Sequence, residues 1–519
     1  MKELLVASVI GLGLASGPAF AADLPITAPG YELPAVVTAP APPPPPAYTW
    51  TGCYINGGAG YGMWKQDHYG EGLTPLTPLT PTVSSSGEPW IGTVGAGCDY
   101  QATSRWLVGA FGDYSFMSPV YGGAFQEPFT GWVGNENAET AWAVGGRIGY
   151  LVTPKLLTYF SAGYTQAHFG QINLLTNTQV VPAACGAGPC SIPAHADGGW
   201  FIGSGMEFAL WDIIPVPGLF GRIDYRYATY NGVDLPILTS AGAPVTCAGV
   251  ACGEHMQKDY QTATAELVWR FNVDGIPSGL YSAAAVPVTA EPGVGVASSP
   301  PVPPSHAWCY VNGGAGDGMW EQDHSTNNGP TVTGSTGGTG YLGTAGVGCD
   351  YQIGRWVVGA LADFDLMSMS GHFQDPFTGD FGKQTQSWAW AAGVRVGYLI
   401  TPDFLTYINF GYPEEHFNQI NLVTASSAPT PYFYPAHTYT SGFLFFGAGT
   451  EYALKDLVPI NGLFWRTEYR YADYTSATLP FTSTGALPGV CLPHCGLAMG
   501  KDLQTITSGL VWRFYLGGL

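Results

Sequence analysis

Charged side chains are scarce in this chain. Asp, Glu, Lys and Arg make up 10% of its 519 residues, whereas an average soluble domain contains about 25%. Glycine and aromatic residues are abundant instead, with 73 Gly and 14% Phe, Trp and Tyr. This composition disfavours a soluble protein and is typical of strands that face lipid and approach one another closely. A glycine-rich secreted β protein is the soluble alternative.

Basic residues are the rarer of the two charges. Lys and Arg number 17 against 37 Asp and Glu, which gives a formal net charge of −20. Binding of nucleic acid needs basic patches that meet phosphate, so this class of partner is excluded. The enzyme patterns GxSxG, HExxH and the P-loop are also missing from the sequence, and we predict no catalytic, cofactor-binding or metal-binding residue.

Long apolar runs are missing after the start of the chain. Residues 1–21 contain Lys2, an apolar run over 4–14 and the small-residue pattern Ala19-Phe20-Ala21, which predict a cleaved secretory signal peptide. No later run approaches the roughly 18 apolar residues of a membrane-spanning helix. The sequence therefore predicts export without a helical anchor.

The second half of the chain repeats the first, with its motifs in the same order. CYINGGAGYGMW at 53–64 returns as CYVNGGAGDGMW at 309–320, and GCDYQ at 97–101 returns at 348–352. FQEPFTG at 125–131 returns as FQDPFTG at 373–379, and GGRIGYLVTP at 145–154 as GVRVGYLITP at 393–402. Later, GLFGRIDYRYATY at 218–230 matches GLFWRTEYRYADY at 462–474, and ELVWRF at 266–271 matches GLVWRF at 509–514.

Proline-rich segments separate the repeats. APPPPPA ends the segment before the first repeat, and PPVPPSHA ends the one between the two; both are typical of extended, polyproline-like spacers. We predict a signal peptide at 1–21, a periplasmic spacer at 22–47, the first repeat at 48–272, a linker at 273–307 and the second repeat at 308–519.

Each repeat contains eight segments with alternating side-chain polarity, each long enough to cross a bilayer as a tilted strand. In the first repeat they lie at 51–64, 90–100, 105–117, 141–151, 157–168, 199–210, 219–230 and 259–271. Short connections alternate with long ones, such as 65–89 and 231–258, as in barrels with short periplasmic turns and long outer loops. The sequence predicts an all-β fold of two tandem eight-stranded antiparallel transmembrane β-barrels.

Alternation also sorts the charged residues, because one parity of a barrel strand faces lipid and the other faces the lumen. In the seventh segment Arg222, Asp224 and Arg226 share one face, and Ile223 and Tyr225 share the other. The same test predicts four acids and four arginines inside each barrel. The predicted lumen charge network comprises Asp113, Arg147, Glu207, Arg222, Asp224, Arg226, Glu266 and Arg270, and in the second repeat Asp363, Asp365, Arg395, Glu451, Arg466, Glu468, Arg470 and Arg513.

Equal numbers of acids and arginines predict a plugged lumen. An eight-stranded barrel is just wide enough for side chains to fill, and a buried charge must be paired. A narrow ion path through the same polar column is the alternative. Aromatic residues near the segment ends predict interfacial girdles, formed in the first repeat by Trp50, Trp64, Trp106, Tyr150, Tyr164, Trp269 and Phe271.

These motifs together resemble those of the small outer-membrane surface-antigen barrels of alpha-proteobacteria, which are related to opacity-type porins. The resemblance is carried by WTGCYINGGAGYG at 50–62, GGRIGYL, LLTYFSAGY, GSGMEFAL, RIDYRY and LVWRF, with counterparts in the second repeat. It implies an eight-stranded barrel, outer-membrane residence and surface exposure. Two features depart from the family: the duplication itself, and the residues YLGGL after Phe514.

The ten cysteines of an exported chain are expected to be oxidised. Three close pairs in the outer loops predict local disulfides: Cys185 with Cys190, Cys247 with Cys252, and Cys491 with Cys495. Metal binding is the alternative for such pairs, although tight zinc sites prefer about two to four intervening residues. Cys53 with Cys98, and Cys309 with Cys349, face outward on neighbouring strands, so a bridge between them depends on the strand register.

Histidines concentrate toward the outer loops, at His68, His168, His195 and His255 and, in the second repeat, at His324, His416, His437 and His494. A shared metal or haem site at the barrel mouth is one hypothesis. Solvated loop histidines are the other, and we adopt it because four loops need not converge. No cofactor is therefore expected.

We predict a structural, surface-exposed protein of the bacterial outer membrane, with plugged polar lumens and acidic outer loops, that is not an enzyme. The alternative is a porin-type diffusion channel, formed by two weakly conducting barrels or by one 16-stranded pore. The expected partners are outer-membrane lipid and lipopolysaccharide, together with the barrel assembly machinery during biogenesis. The sequence does not specify the external ligand.

Overall fold

The computed structural model describes residues 49–118, 123–176, 178–210, 214–272, 307–326, 333–440, 445–455, 458–485 and 495–515. The predicted signal peptide at 1–21, the spacer at 22–47 and the linker, apart from its last residue, lie outside these ranges. Within them, no helix has the length and hydropathy needed to cross a membrane.

Eight long antiparallel strands of the first repeat close into a ring. They are β1 (Gly52–Leu73), β2 (Trp90–Gln101), β3 (Trp106–Met117), β4 (Ala138–Thr153), β5 (Leu156–Phe169), β6 (His195–Ala209), β7 (Leu219–Tyr230) and β8 (Val250–Phe271). Each strand pairs with its neighbours in the chain, and β8 pairs with β1 from Cys53↔Phe271 to Gly72↔Cys252. This closure leaves none of the long strands at a free sheet edge.

The second repeat forms a ring of its own. Its strands are β9 (Ala307–Thr326), β10 (Thr333–Ile353), β11 (Trp356–Gln374), β12 (Phe381–Thr401), β13 (Phe404–Phe417), β14 (Phe445–Ala453), β15 (Leu463–Pro480) and β16 (Gly496–Tyr515). Pairing of β9 with β16, from Trp308↔Tyr515 to Thr326↔Leu497, closes the ring. The prediction of two barrels is thus confirmed, and the single 16-stranded pore is excluded.

Short strands extend both barrels at the long-loop end. In the first repeat they are Leu76–Pro78, Val83–Gly87, Gly123–Gln126, Val133–Glu136, Ile172–Leu174, Cys190–Ile192, Val233–Pro236 and Thr246–Cys247, with a 3-10 turn at Ala183–Cys185. In the second repeat they are Ile420–Val423, Pro429–Tyr434, His437–Thr440 and Thr482–Ser483. Several of them pair with the outer ends of the long strands, for example Val233–Pro236 with β8.

The strands of the barrel wall extend further toward the long loops than the alternation of hydrophobic residues predicts. The segments predicted at 51–64 and 259–271 are the lower parts of β1 and β8, and these strands continue in register to Leu73 and Val250. Beyond the lipid-facing belt both faces of a strand carry polar residues, so the hydrophobic alternation stops although backbone pairing does not. The predicted outer loops at 65–89 and 231–258 are therefore partly strand.

Clusters of buried aromatic and apolar side chains lie inside both lumens. At the short-turn end of the first barrel lies a cluster of Trp50, Tyr54, Leu107, Leu151, Leu157, Tyr159, Phe220 and Val268. Toward the long loops lies a second cluster, which includes Trp64, Phe169, Phe201, Tyr230 and Tyr260. The second barrel has corresponding clusters around Tyr310 and Tyr407 and around Trp320 and Phe417.

Two of the predicted girdle residues belong to these clusters. Trp50 is 2% exposed and Trp64 is 1% exposed, so their placement at the lipid interface was wrong. Trp64 has the inward parity of Tyr54, with which it shares β1. Trp106 and Trp269 do face outward at one end of the barrel, where a girdle belongs. Tyr100 is also exposed at this end. At the opposite end the exposed aromatic residues are Trp90, Phe116, Trp142 and Trp200.

The two barrels contact each other through equivalent outward-facing residues. The rings of Tyr225 on β7 and Tyr469 on β15, which occupy the same position in the two repeats, are 6.3 Å apart. Near them, Gln261 donates a hydrogen bond of 2.7 Å to Asp317, and Gln261 is completely buried. Self-complementary contact of equivalent surfaces is the hallmark of two-fold association. Asp317 therefore meets an amide of the first barrel rather than lipid.

Candidate functional site in the barrel lumens

Glu207, on β6, is the acidic centre of the first lumen. Three arginines from other strands reach its carboxylate: Arg222 on β7 at 3.1 Å, Arg147 on β4 at 3.4 Å, and Arg270 on β8, whose Nε donates a short hydrogen bond to Oε1. Glu207 has no exposed surface. Because each arginine comes from a different strand, the carboxylate ties the barrel wall together across the lumen.

Asp99, near the end of β2, completes this network and was missing from the sequence prediction. Its carboxylate lies 2.5 Å from Nη2 of Arg147 and 2.7 Å from Nη2 of Arg270. The signal was present, because Cys98 was assigned outward and the next residue of a strand must then point inward. Asp350, beside Cys349, takes the same position in the second lumen and accepts a hydrogen bond of 2.9 Å from Arg395.

A second set of ion pairs lies farther from the short turns. Arg226 contacts Asp113 at 2.7 Å and Asp224 at 3.3 Å. Glu266 lies 3.3 Å from Arg222, which links this set to the first. The structure thus brings together all eight residues that were predicted for the first lumen.

The second lumen repeats this arrangement around Glu451, which is also completely buried. Arg395 and Arg466 each lie 2.6 Å from its Oε1, and Arg513 donates to Oε2. Arg470 joins Asp363 at 2.8 Å and Glu468 at 2.7 Å.

The predicted equality of acids and arginines needs correction, because Asp99 and Asp350 give each lumen a fifth acid. A cavity of about 50 Å³ in the first lumen is lined by Asp113, Asp224 and Glu266. One of about 30 Å³ in the second is lined by Asp363, Asp365 and Glu468. Each is large enough for water, which needs about 10–15 Å³. Each cavity is thus lined by three lumen acids, together with Arg226 in the first barrel and with Arg466 and Arg470 in the second.

Aromatic rings close the short-turn end of the network. The guanidinium of Arg270 lies 4.6 Å from the ring of Trp50, and those of Arg147 and Arg222 lie 4.6 Å from the ring of Tyr54. Such contacts stabilise a desolvated cation. Nε1 of Trp50 donates to the carbonyl oxygen of Pro154 at 3.0 Å, which fixes the ring across the lumen.

Above the lipid-facing belt, each lumen contains one buried lysine with an acidic partner. Lys258 lies 2.9 Å from Asp197 and 3.3 Å from Glu136. Burial alone would raise the pKa of Asp197, but the hydrogen bond to His195 and the charge of Lys258 bring it below its ordinary value. In the second barrel Lys501 lies 2.7 Å from Glu415, and burial lowers the pKa of this lysine to about 8 despite its acidic partner.

The histidines do not converge on one site in the described part of the chain. In the first barrel each lies beside a different carboxylate: His68 beside Glu254, His168 beside Glu139, His195 beside Asp197 and His255 beside Asp234. In the second barrel His416 lies beside Thr438 and His437 beside the Pro435 carbonyl, and His494 lies outside the described residues.

The prediction of solvated histidines was wrong for the buried ones. His68 is 1% exposed, His324 is 4% exposed and His195 is 9% exposed, because the extended barrel wall encloses them. Burial lowers the pKa of His68 to about 3 and that of His324 to about 4. These two imidazoles are therefore uncharged at neutral pH.

Local hydrogen bonds explain the acidic residue in the loop motif FQEPFTG at 125–131. The Glu127 carboxylate accepts hydrogen bonds from the backbone N–H groups of Phe129 and Thr130, at 2.7 and 2.6 Å. Asp375 does the same in FQDPFTG, where the N–H of Thr378 donates at 2.7 Å. The acid of this motif therefore shapes a turn and is not available to a ligand.

Between cysteines that both lie in the described ranges, the structure forms four disulfides. Cys185–Cys190 and Cys247–Cys252 lie in a buried loop cluster with Phe125, Ile172, Leu174, Ile192, Ile237, Val245 and Met256. Cys53–Cys98 and Cys309–Cys349 join directly paired residues of neighbouring strands. The predicted Cys491–Cys495 bridge includes Cys491, which lies outside the described residues.

The outer loops expose less negative charge than their composition predicts. Five of their acids, Glu71, Glu127, Glu136, Asp197 and Glu254, are at most 3% exposed. Four of them contact lysine, histidine or backbone N–H groups, whereas Glu71 lies near Asp234 and His255. The expectation of strongly acidic outer loops is therefore only partly met in the first barrel.

Comparison with known proteins gives one family. The family model named outer membrane protein beta-barrel domain matches the sequence twice, at residues 33–271 and at residues 293–514. No curated protein matches the chain.

Several solved structures also match, at low identity. The chain is similar to the Pseudomonas putida toluene transporter TodX at 10% identity, over 89% of this chain and 90% of that one, with a TM-score of 0.23. A Pseudomonas aeruginosa FadL homologue matches at 10% identity over 89% and 90%, with a TM-score of 0.25. The Pseudomonas aeruginosa outer membrane protein OprG matches at 11% identity over 43% of this chain and 98% of its own length, with a TM-score of 0.27. These scores are too low to carry an argument.

Replacing Glu207 tests the ionic network of the first lumen. Glu207→Ala leaves three buried guanidinium groups without their shared carboxylate, so we expect the free energy of unfolding to fall by about 3–5 kcal/mol. Urea titration of the refolded protein in detergent micelles, followed by tryptophan fluorescence, measures it. The matched control is Glu139→Ala, which removes the half-exposed partner of His168 and should cost at most about 1 kcal/mol. If both variants lost an equally small amount of unfolding free energy, the network would not stabilise the barrel, and the prediction would be wrong.

Proposed function

Since both halves of the chain belong to the outer membrane protein beta-barrel domain family, the protein resides in the bacterial outer membrane, and we propose that it acts there as a structural, surface-exposed protein with two plugged lumens. The family model describes an outer-membrane β-barrel domain, and the proposed role includes no catalytic activity. The observation that carries the proposal is the ion-paired layer around Glu207 and Glu451.

A channel would need a continuous polar path, and this layer interrupts it. Asp99, Glu207, Arg147 and Arg270 are each at most 5% exposed, and together they bridge four strands across the first lumen. Opening a path would separate buried ion pairs, and removal of one such partner costs about 3–5 kcal/mol. Aromatic rings that pack on the arginines add a second obstruction at the same depth.

The outer face of each barrel suits an envelope protein. Large apolar side chains point outward along the first barrel, among them Val94, Val144, Phe160, Ile202 and Leu267. We expect this belt to contact membrane lipid and its outer rim to contact lipopolysaccharide. The predicted signal peptide and the barrel assembly machinery would deliver the chain to this membrane. Within the family, the sequence motifs favour a relationship to the surface-antigen barrels of alpha-proteobacteria.

The long-loop end of the first barrel forms a compact, stable surface. Two disulfides and seven further buried residues hold its outer strands in one cluster. Such a compact surface resists extracellular proteases, which cut mobile loops. The proposed role therefore combines envelope integrity with interaction at the cell surface.

Weak conduction is the second candidate function, and one observation favours it. The small cavities of both lumens are lined by more acids than arginines, which would suit a cation. The cavities lie on the loop side of the ion-paired layer, so conduction would still require that layer to open.

Conductance in planar lipid bilayers separates the two functions. We expect the purified chain to give no steps of nanosiemens size, because both lumens are filled by side chains. The matched control is the triple variant Trp50→Ala, Tyr54→Ala and Phe220→Ala, which removes the rings packed on Arg270 and should conduct more than the original chain. Large stable steps from the unmodified protein would contradict the plugged lumen.

Epitope insertion tests surface exposure. A short tag after Ala241, in an exposed turn at the long-loop end, should be detected by antibody on intact cells. The same tag after Thr103, in the exposed turn between β2 and β3, should be detected only after the outer membrane is permeabilised. Detection in the reverse order would overturn the proposed orientation.

A further inference from the structure

Three ligand-type side chains meet on the outer wall of the first barrel, above the lipid-facing belt. Glu71 lies near the end of β1, His255 lies on β8, and Asp234 lies on the short strand Val233–Pro236. Asp234 pairs directly with His255 across the sheet, and Glu71 pairs with Gly253, two residues from His255 along β8. The three residues therefore come from adjacent strands and share one face.

The side chains are arranged around a common point. Each offers one ligand atom that lies within 4.8 Å of the other two. Nδ1 of His255 lies 2.6 Å from Oδ1 of Asp234, and the imidazole stacks on the ring of Tyr69 with centroids 4.8 Å apart. The stacking holds the imidazole in place next to the two carboxylates.

Glu71 supplies an independent indication of a ligand. The residue as a whole is 3% exposed, and Oε1 has no hydrogen-bond partner among the described residues. A buried carboxylate is very costly unless it is paired, hydrogen-bonded or bound to a metal ion. Its immediate neighbours in the cluster are a second acid and a histidine, so a cation between them would satisfy the buried oxygen.

We propose that Glu71, Asp234 and His255 bind one Zn²⁺ ion at the outer rim of the first barrel. Zn²⁺ accepts imidazole nitrogen and carboxylate oxygen at about 2.0–2.2 Å, whereas Ca²⁺ and Mg²⁺ prefer sites built from oxygen alone. Three protein ligands leave a fourth position for water. The side chains of His255 and Asp234 are 27% and 38% exposed, so the ion has access from solvent.

The second barrel provides an internal comparison, because it lacks these ligands. In the pairing of β15 with β16, Thr478 lies opposite Ala498 at the position that Asp234 and His255 occupy in the first barrel. The site is therefore expected once per chain and not twice. Bound Zn²⁺ would fasten the short strand Val233–Pro236 to β1 and β8, and so would reinforce the rim beneath the disulfide-linked loops.

Equilibrium dialysis of the refolded full chain against Zn²⁺, with metal counted by mass spectrometry, tests the proposal. Excess Mg²⁺ is included as a competitor for oxygen-only clusters, such as Glu88, Glu321 and Asp502, whose carboxylates lie within 4.8 Å of one another. We expect one Zn²⁺ per chain. Glu71→Gln, Asp234→Asn and His255→Gln should each weaken binding more than about 100-fold, since even groups that only support a ligand are worth about 10–100-fold.

The matched control is His168→Gln, because His168 has a carboxylate partner, Glu139, but no third ligand within the described ranges. This variant should bind Zn²⁺ as the unmodified chain does, and the heat-dependent shift on electrophoresis should show that all variants fold. The proposal would be overturned by absence of binding, by two ions per chain, or by binding that survives any of the three ligand substitutions. Equal affinity for Ca²⁺ would also overturn it, because imidazole would then have no role.

Discussion

A charged side chain inside a narrow barrel has little water to solvate it, and this constraint explains the ion pairs of both lumens. Side chains fill most of the space inside eight strands, so every lumen arginine must find a carboxylate on its own, a neighbouring or a facing strand. Eight of the ten arginines in the chain lie in the two lumens, and the other two, Arg105 and Arg355, are exposed in short turns. Glu207 and Glu451 each contact three arginines from separate strands, so these ion pairs link strands around each closed ring.

Comparison of the two repeats shows what this constraint preserves. Glu266 lies opposite Arg222 in the first barrel, whereas Gly509 lies opposite Arg466 in the second. The second barrel carries Asp365 instead, at the position where the first has Ser115. One acid has thus been lost from one strand and gained on another, and each lumen keeps five acids and four arginines. The balance of charge is retained although its positions differ, as expected if pairing and not recognition of a ligand fixes these residues.

Much of this architecture follows from the sequence because strand parity is a strict rule. A residue next to an outward-facing one must point inward, which placed all sixteen predicted lumen charges and the two strand-borne cysteine pairs. Applied consistently, the same rule also predicts that Asp99 points into the lumen, because Cys98 faces outward. It predicts as well that Trp64 faces the lumen and not the lipid interface. Those omissions came from treating residues near strand ends by composition instead of by parity.

The outer half of each barrel was less predictable for a physical reason. Above the lipid, both faces of a strand can be polar, so nothing in the sequence marks where pairing ends. The continuation of β1 and β8 to Leu73 and Val250 encloses His68, Lys258 and Glu254, which composition alone assigns to solvated loops. Contacts between distant loops, such as those that bury Glu71, depend on tertiary packing that no local pattern contains.

Exchange of arginine side-chain protons with water tests the plugged lumen most directly, because it needs no substitution. In the folded chain labelled with ¹⁵N-arginine, guanidinium protons of the eight lumen residues should exchange slowly with solvent and report restricted rotation, while those of Arg105 and Arg355 should exchange rapidly. Lumen arginines that exchange as fast as these two would show water-filled barrels and would contradict the account.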